Sequence, residues 1–184
     1  MKILGVSGSP RAESYNTALL REAARLAPAG AEVELWEGIR DLPIYDQDLE
    51  ADVPESVRRL REDWGSADAI LFATPEYNGS VPGGLKNAVD WASRPVREGA
   101  LTNKTVAVVG ASTGQFGAMW AQADLRKILG VAGARVVDAE LAVGRAESRF
   151  DEEGRLVDDE IRAELRNAVE ALAAEIAPAR LIAA

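Results

Sequence analysis

The segment Ala69-Ile70-Leu71-Phe72-Ala73-Thr74-Pro75-Glu76-Tyr77-Asn78-Gly79-Ser80-Val81-Pro82-Gly83-Gly84-Leu85-Lys86-Asn87-Ala88-Val89-Asp90-Trp91 decides the architecture. Its first five residues are uniformly apolar and read as a strand buried on both faces. From about Pro82 to Ser93 the chain reads as a helix, because proline suits a first helical turn and no breaker follows. Between the two lies a polar loop shaped by proline and glycine, with Glu76, Tyr77 and Asn78 at its centre. A strand that stops abruptly and releases such a loop at its carboxyl end is how an open α/β sheet makes a ligand crevice. An ordinary strand-to-helix turn is the alternative that this stretch alone leaves open.

The same punctuation recurs on both sides of it. Ile3 to Val6 reads as a short central strand that runs into Ser7-Gly8-Ser9-Pro10-Arg11-Ala12-Glu13-Ser14-Tyr15-Asn16. A helix then begins, with Asn16 or Thr17 as its N-cap, an inward stripe of Leu19, Leu20, Ala23, Ala24 and Leu26, and a stop at Pro28-Ala29-Gly30. Strand, small-residue loop and helix start together suit a phosphate: first-turn N–H groups lack partners and the helix dipole favours an anion there. Ser9, Ser14 and Asn16 add side-chain donors, and Arg11 can fork onto phosphate oxygens. The glycines fit neither the dinucleotide fingerprint nor the Walker loop, so a phosphate monoester held by hydroxyls is the better match. Turn and cap roles for these Ser and Asn residues are the bland alternative.

Glu32 to Trp36 alternates polar and apolar and reads as a strand with one exposed face. Residues 37 to 53 form a long connection whose Leu42, Ile44, Tyr45 and Leu49 are expected to pin it to the body. Pro54 opens a helix with Val57, Leu60 and Trp64 inward and the charges of Arg58, Arg59, Arg61, Glu62 and Asp63 outward, a solvated face. Thr105 to Ala111 is a fourth strand, ending in a third small-residue loop, Ser112 to Gly117, before a helix through Trp120, Leu125 and Leu129. Residues 135–137 with 139–143 supply a fifth strand, and residues 144–157 an acidic excursion that turns at Glu153-Gly154. The last helix, Asp158 to about Ala177, carries Ile161, Leu165, Val169, Leu172 and Ile176 at steps of three and four. Trp91 is expected in the core, with a subunit contact as the alternative. Five strands alternating with five helices imply a parallel sheet covered on both faces, in one domain spanning 1–184.

Composition excludes several chemistries. The 184 residues include no cysteine and no histidine, which removes disulfides, thiol catalysis, Ser-His-Asp hydrolysis and His-ligated metals, so no metal site is expected. Difficult chemistry is then expected of a bound cofactor. A net charge of −9 argues against nucleic acid and anionic membranes as partners. The apolar start, Met1 to Val6, is too short for a signal peptide, and no stretch reaches a membrane span, so a cytoplasmic location is expected.

Three pieces resemble the NADPH-dependent FMN reductase family, which includes chromate and quinone reductases and some azoreductases. They are Gly8 to Asn16, Leu42-Pro43-Ile44-Tyr45-Asp46-Gln47-Asp48-Leu49, and the Pro75 to Trp91 run, the most specific of the three. The likeness covers nearly the whole chain, including Phe150 to Leu156. It implies a flavodoxin-like three-layer sandwich with a five-stranded parallel sheet in the order 2-1-3-4-5, whose switch point lies between strands one and three. It further implies that Ser9, Arg11, Ser14 and Asn16, with Tyr15 beside them, hold the FMN phosphate. Pro75, Glu76, Tyr77, Asn78 and Gly79 would contact the isoalloxazine, Tyr77 and Asn78 positioning it, and Ser112 and Gly114 would meet its pyrimidine end. No catalytic side chain is required, because FMN carries the reaction. The expected activity is hydride transfer from NADPH or NADH through FMN to a quinone or similar acceptor (flavin, chromate and azo compounds included), by a homodimer or homotetramer. The Ser112 to Gly117 loop departs from the glycine-rich versions of the family, and Phe116 is a ring that could narrow the cleft. A flavodoxin-type electron carrier, without its own NAD(P)H turnover, is the alternative that the acidic charge also fits.

Overall fold

Uniformly apolar strands need cover on both faces, and three of them find it in the middle of one sheet. In the computed structural model, β1 (Lys2–Ser7), β3 (Ala69–Thr74) and β4 (Thr105–Ala111) are buried almost throughout, while β2 (Glu32–Trp36) alternates at the edge. The structure describes residues 1–182, with side-chain surroundings for residues 1–176. The sheet is parallel in the order β2-β1-β3-β4-β5, with β5 at Arg135–Val136, and a further short strand, β6 (Ala142–Val143), also pairs with β4. Register is continuous across the middle: Gly5 lies beside both Leu35 and Leu71, and Leu71 beside Ala107.

Because side chains alternate across a strand, the sheet divides its apolar residues between two cores. Leu71 and Val109 face α1 (Tyr15–Leu26) and α5 (Asp159–Ile182), where Leu19, Leu165, Val169 and Leu172 complete one core. Ile70, Phe72 and Val108 face α2 (Glu55–Ser66), α3 (Gly83–Ala92) and α4 (Met119–Val131), where Leu60, Trp64, Trp91 and Leu125 complete the other. Trp64, Phe72 and Trp91 are fully buried, each worth about 1.5–3 kcal/mol of transfer free energy. Trp91 is therefore a core residue, its indole N–H donating to the Pro43 carbonyl at 2.9 Å. Together with Asn87, which bonds Pro43 and Tyr45, it ties the long connection after β2 to α3.

Five details differ from the sequence reading. The N-cap of α1 is Ser14, whose Oγ accepts from the Thr17 N–H, because Asn16 is drawn elsewhere. Ile44 and Leu49 do not pin the connection; they are 86% and 37% exposed, and Leu42 and Tyr45 pack instead. Arg61 is half-buried, donating to the Trp91 carbonyl, and burial lowers its pKa. The expected fifth strand is split: Arg126 of α4 donates to the carbonyls of Val108, Val137 and Ala139. The guanidinium thus enters between β4 and the returning chain, and pairing resumes only at β6; its burial lowers its pKa against the opposing pull of Glu140 and Asp138. The last helix continues to Ile182, past the expected end near Ala177.

Candidate functional site

Parallel strands release their loops at one edge of the sheet, and those after β1, β3 and β4 are therefore neighbours. The loop after β1 is wired from within. Thr17 Oγ1 donates to Ser7 Oγ at 2.9 Å, the Ser9 N–H donates to the same Ser7 oxygen at 3.3 Å, and the Gly8 N–H donates to the Ala73 carbonyl of β3 at 2.8 Å. Ser9 and Ser14 are buried, and each hydroxyl oxygen accepts a main-chain N–H, from Arg11 and Thr17 respectively. Each keeps its own O–H to donate. Tyr15 and Asn16 are the first two helical residues, so their N–H groups have no intrahelical acceptor. Arg11 is exposed, its guanidinium 5.6 Å from the centroid of the Tyr15 ring, which packs on Phe150 at 5.5 Å.

Asn16 does something the sequence did not suggest. Its carboxamide donates to the Ala111 carbonyl and accepts from the Ala111 N–H, both at 2.9 Å, and the residue is 2% exposed. One amide N–H and the amide oxygen thus hold the start of α1 against the end of β4. Asn16 can also offer an anion its main-chain N–H at the helix start.

The loop after β3 is a tight turn. Tyr77 and Ser80 exchange main-chain hydrogen bonds at 3.1 and 3.2 Å around Asn78 and Gly79, whose φ values are 52° and 73°. Positive φ at both central positions is the type I′ pattern that Asn-Gly favours. Nothing lies within 4 Å of where a Cβ on Gly79 would stand, so the turn faces open space. The loop is clamped to α4 twice. Glu76 Oε2 accepts from the Trp120 and Ala121 N–H groups at 3.0 and 3.1 Å, and Ser80 Oγ donates to Asp124 at 2.6 Å. Ala118, the residue before α4, is left-handed and offers no side-chain cap, so Glu76 supplies that cap from a distant loop. A carboxylate so engaged is a strut rather than a free proton carrier.

The loop after β4 is held from below. The Ser112 N–H donates to Val143, the Gly114 N–H to Ser112 Oγ at 3.1 Å, and the Arg145 N–H to the Gly114 carbonyl. Gly117 has a φ of 56°, and a Cβ there would lie 2.4 Å from the Ala142 carbonyl carbon, so only glycine fits against β6. Phe116 and Trp120 meet at 5.1 Å with their rings at 69°, and with Tyr77 and Met119 they form a half-exposed apolar rim. Sequence reasoning placed Trp120 on the helix and not at the site, because Phe116 lies before α4 and helical spacing does not relate the two rings. It also passed over Ser7 and Asp124 and read Thr17 only as a candidate N-cap; their partners are distant or in turns and leave no sequence pattern.

The arrangement therefore presents two hydroxyls, a helix start and an arginine after β1, and a turn after β3 whose Asn78 and Gly79 N–H groups have no partner among the described residues. Pro75 follows the buried Thr74, whose hydroxyl donates to the Pro75 carbonyl at 2.7 Å. These residues fit a flavin mononucleotide: an anion receptor at one end, and an open turn with free main-chain donors for a flat polar heterocycle at the other.

Comparison with known proteins agrees with this chemistry. Residues 1–148 match the sequence profile of a family described as NADPH-dependent FMN reductase. The chain is 45% identical over 174 residues to an NAD(P)H-dependent FMN reductase of Pseudomonas aeruginosa, covering 94% of this chain and 93% of that one. It is 36% identical to a 2-hydroxy-1,4-benzoquinone reductase of a Burkholderia species, covering 98% and 99%. Among solved structures, a flavoenzyme NAD(P)H:(acceptor) oxidoreductase of Paracoccus denitrificans superposes with a TM-score of 0.87 at 36% identity, over 96% of this chain and 97% of that one.

Proposed function

Because the chain belongs to the NADPH-dependent FMN reductase family, we propose that the crevice framed by the three loops is where it holds FMN and reduces small acceptors. The chain is an FMN-dependent oxidoreductase that uses NAD(P)H. The observation that carries the site is the meeting, at the β1/β3 switch point, of a hydroxyl-lined helix start with an open type I′ turn. When bound, FMN supplies the redox chemistry, accepting a hydride from the nicotinamide and returning electrons to the acceptor.

The chain's own residues bind, orient and shield. Ser9, Ser14, the Tyr15 and Asn16 N–H groups and Arg11 would hold the phosphate. Pro75, Tyr77, Asn78 and Gly79 would flank the ring, the two free N–H groups of the turn serving its polar edge. Glu76 would act behind them by fixing the turn on α4, and Ser112 and Gly114 by shaping the loop at the far end. No described residue of the crevice is needed as an acid or base. Tyr77, Phe116 and Trp120 would exclude water and offer an aromatic seat to a quinone, the acceptor class in this reading. The same half-exposed rim supports a homodimer or homotetramer that closes over it, and the reading includes a cytoplasmic location.

Purified protein should be yellow, should bleach under NADPH without oxygen, and should regain colour when a quinone is added. Colourless protein that does not take up added FMN would remove the reading. Bleaching without sustained turnover would make the chain a carrier rather than an enzyme. Light scattering should give two or four copies, and a monomer at assay concentration would remove the closing-over of the rim.

A further inference from the structure

A second crevice lies on the other side of the first loop, above β1 and β2. It has a volume of about 490 Å³ and a floor that includes Gly5, Leu20, Leu35 and Trp36. Arg11, Arg21 and Arg40 all line it, with the hydroxyl residues Ser7, Ser9 and Thr17. Acidic residues outnumber Lys and Arg by 30 to 21 in this chain, and eight other arginines are ion-paired. Yet none of these three forms an ion pair among the described residues. Arg40 donates to the Pro10 carbonyl, Arg11 lies over Tyr15, and Arg21 projects from α1, exposed. Glu37 and Asp41 also line the crevice; with Arg11 on the flavin phosphate, Arg21 and Arg40 share it with these two carboxylates, and neither arginine is ion-paired to them among the described residues. Most of the guanidinium donors are unused, and like charges brought together without partners favour an incoming anion.

Apolar floor and unpaired arginines together suit a phosphorylated nucleoside. We propose that this crevice takes the adenosine end of NADPH, with Arg21 and Arg40 forked onto its 2′-phosphate. The assignment rests on the reading of the three-loop crevice as the flavin site. The geometry permits both at once: two strand spacings, about 10 Å, separate β2 from β3 along the sheet edge, within the reach of an extended dinucleotide. The chain then prefers NADPH to NADH, because the latter leaves the arginines without a partner.

The test uses flavin-loaded protein and measures KM for NADPH and for NADH in the wild type and in R21Q, R40Q and R40K. R21Q and R40Q should each raise the KM for NADPH about tenfold to a hundredfold, the worth of a charged hydrogen bond. The KM for NADH and the bound flavin should not change. R40K, which keeps the charge but not the fork, should recover part of the loss. 2′,5′-ADP should compete with NADPH, and 5′-ADP much more weakly. Arg21 is exposed on a helix face, so R21Q tests the site without threatening the fold. Equal shifts for the two nicotinamides, or no shift for either, would overturn the assignment, as would loss of flavin from R21Q. Flavin reducible by NADH with NADPH discrimination unmoved removes this assignment alone. Flavin reduced by neither nicotinamide removes the underlying reading, and this one with it.

Discussion

Asn16→Ala separates a strut from a ligand. The wild-type carboxamide makes two hydrogen bonds to the Ala111 main chain, both 2.9 Å, and both residues are 2% exposed. Truncation leaves a buried N–H and a buried carbonyl without those partners, at about 1–3 kcal/mol each. Alanine is the better helix former, which returns about 0.5 kcal/mol. The net loss is therefore about 2–5 kcal/mol, or about 5–15 °C in melting temperature for a chain of this size. The measurement belongs on flavin-free protein followed by circular dichroism, because a ligand that binds only the folded state adds its own stabilisation. Asn16→Asp should be at least as damaging, since it sets a carboxylate oxygen against the Ala111 carbonyl. Should flavin-free Asn16→Ala melt with the wild type while FMN affinity falls tenfold, the carboxamide contacts the phosphate and the strut assignment is wrong.

Three further outcomes follow from the same geometry. Arg11→Ala should weaken FMN about tenfold to a hundredfold, from loss of a charged hydrogen bond to phosphate, and leave riboflavin, which has no phosphate, unaffected; titration by flavin fluorescence quenching checks this. Glu76→Ala removes the cap of α4 and should cost about 1–2 kcal/mol, visible as a melting point lower by about 2–6 °C, while Glu76→Gln, which keeps an acceptor, should recover part of it. Asp158 caps α5: the Ile161 N–H first, then the Arg149 guanidinium and the Glu160 N–H, hold its carboxyl below the ordinary 3.8. A carboxyl depressed in the folded state stabilises above its ordinary value, and that contribution disappears as pH falls through the lower, folded value. The melting deficit of Asp158→Ala should thus be full at neutral pH and close as the pH falls below about 4; a deficit independent of pH would show that the charge is irrelevant.

Strands, helices and the three loops were legible because each rests on a local signal. Apolar runs gave β1, β3 and β4, and steps of three and four gave α5. The stretch after β3 was legible as a polar loop, and the structure makes Asn78-Gly79 within it a type I′ turn. The misses share a cause, since each depends on a partner far away in sequence. Asn16 reads as an N-cap or a phosphate donor until Ala111, 95 residues on, is found beside it. Arg126 carries no local signal, and its role shows only in the carbonyls of the split strand around it. Ile44 carries an apolar side chain that packing with Leu42 and Tyr45 leaves outside. The arginines over β1 and β2 were invisible as a group, because residues 11, 21 and 40 lie on a loop, a helix and a second loop.

These misses bear on how such a site should be decomposed. A loop that must offer a preformed surface to a ligand cannot leave its own polar groups to rearrange, so some of its most conspicuous side chains are consumed in holding it. Here Asn16 binds β4, Glu76 caps α4, and Ser80 bonds Asp124, each spanning 44 residues or more. The groups left for a ligand are the ones sequence displays least: main-chain N–H of a helix start and of a left-handed turn, and hydroxyls that accept from the backbone while keeping a proton to give. The consequence is an asymmetry in mutational effect. Substituting a strut should lower stability and occupancy together, whereas Arg11, exposed and in no ion pair among the described residues, should lower occupancy alone. A plot of melting temperature of flavin-free protein against FMN affinity across the four positions should therefore set Arg11 apart from Asn16, Glu76 and Ser80; four points on one line would mean that the division between scaffold and ligand contact does not exist.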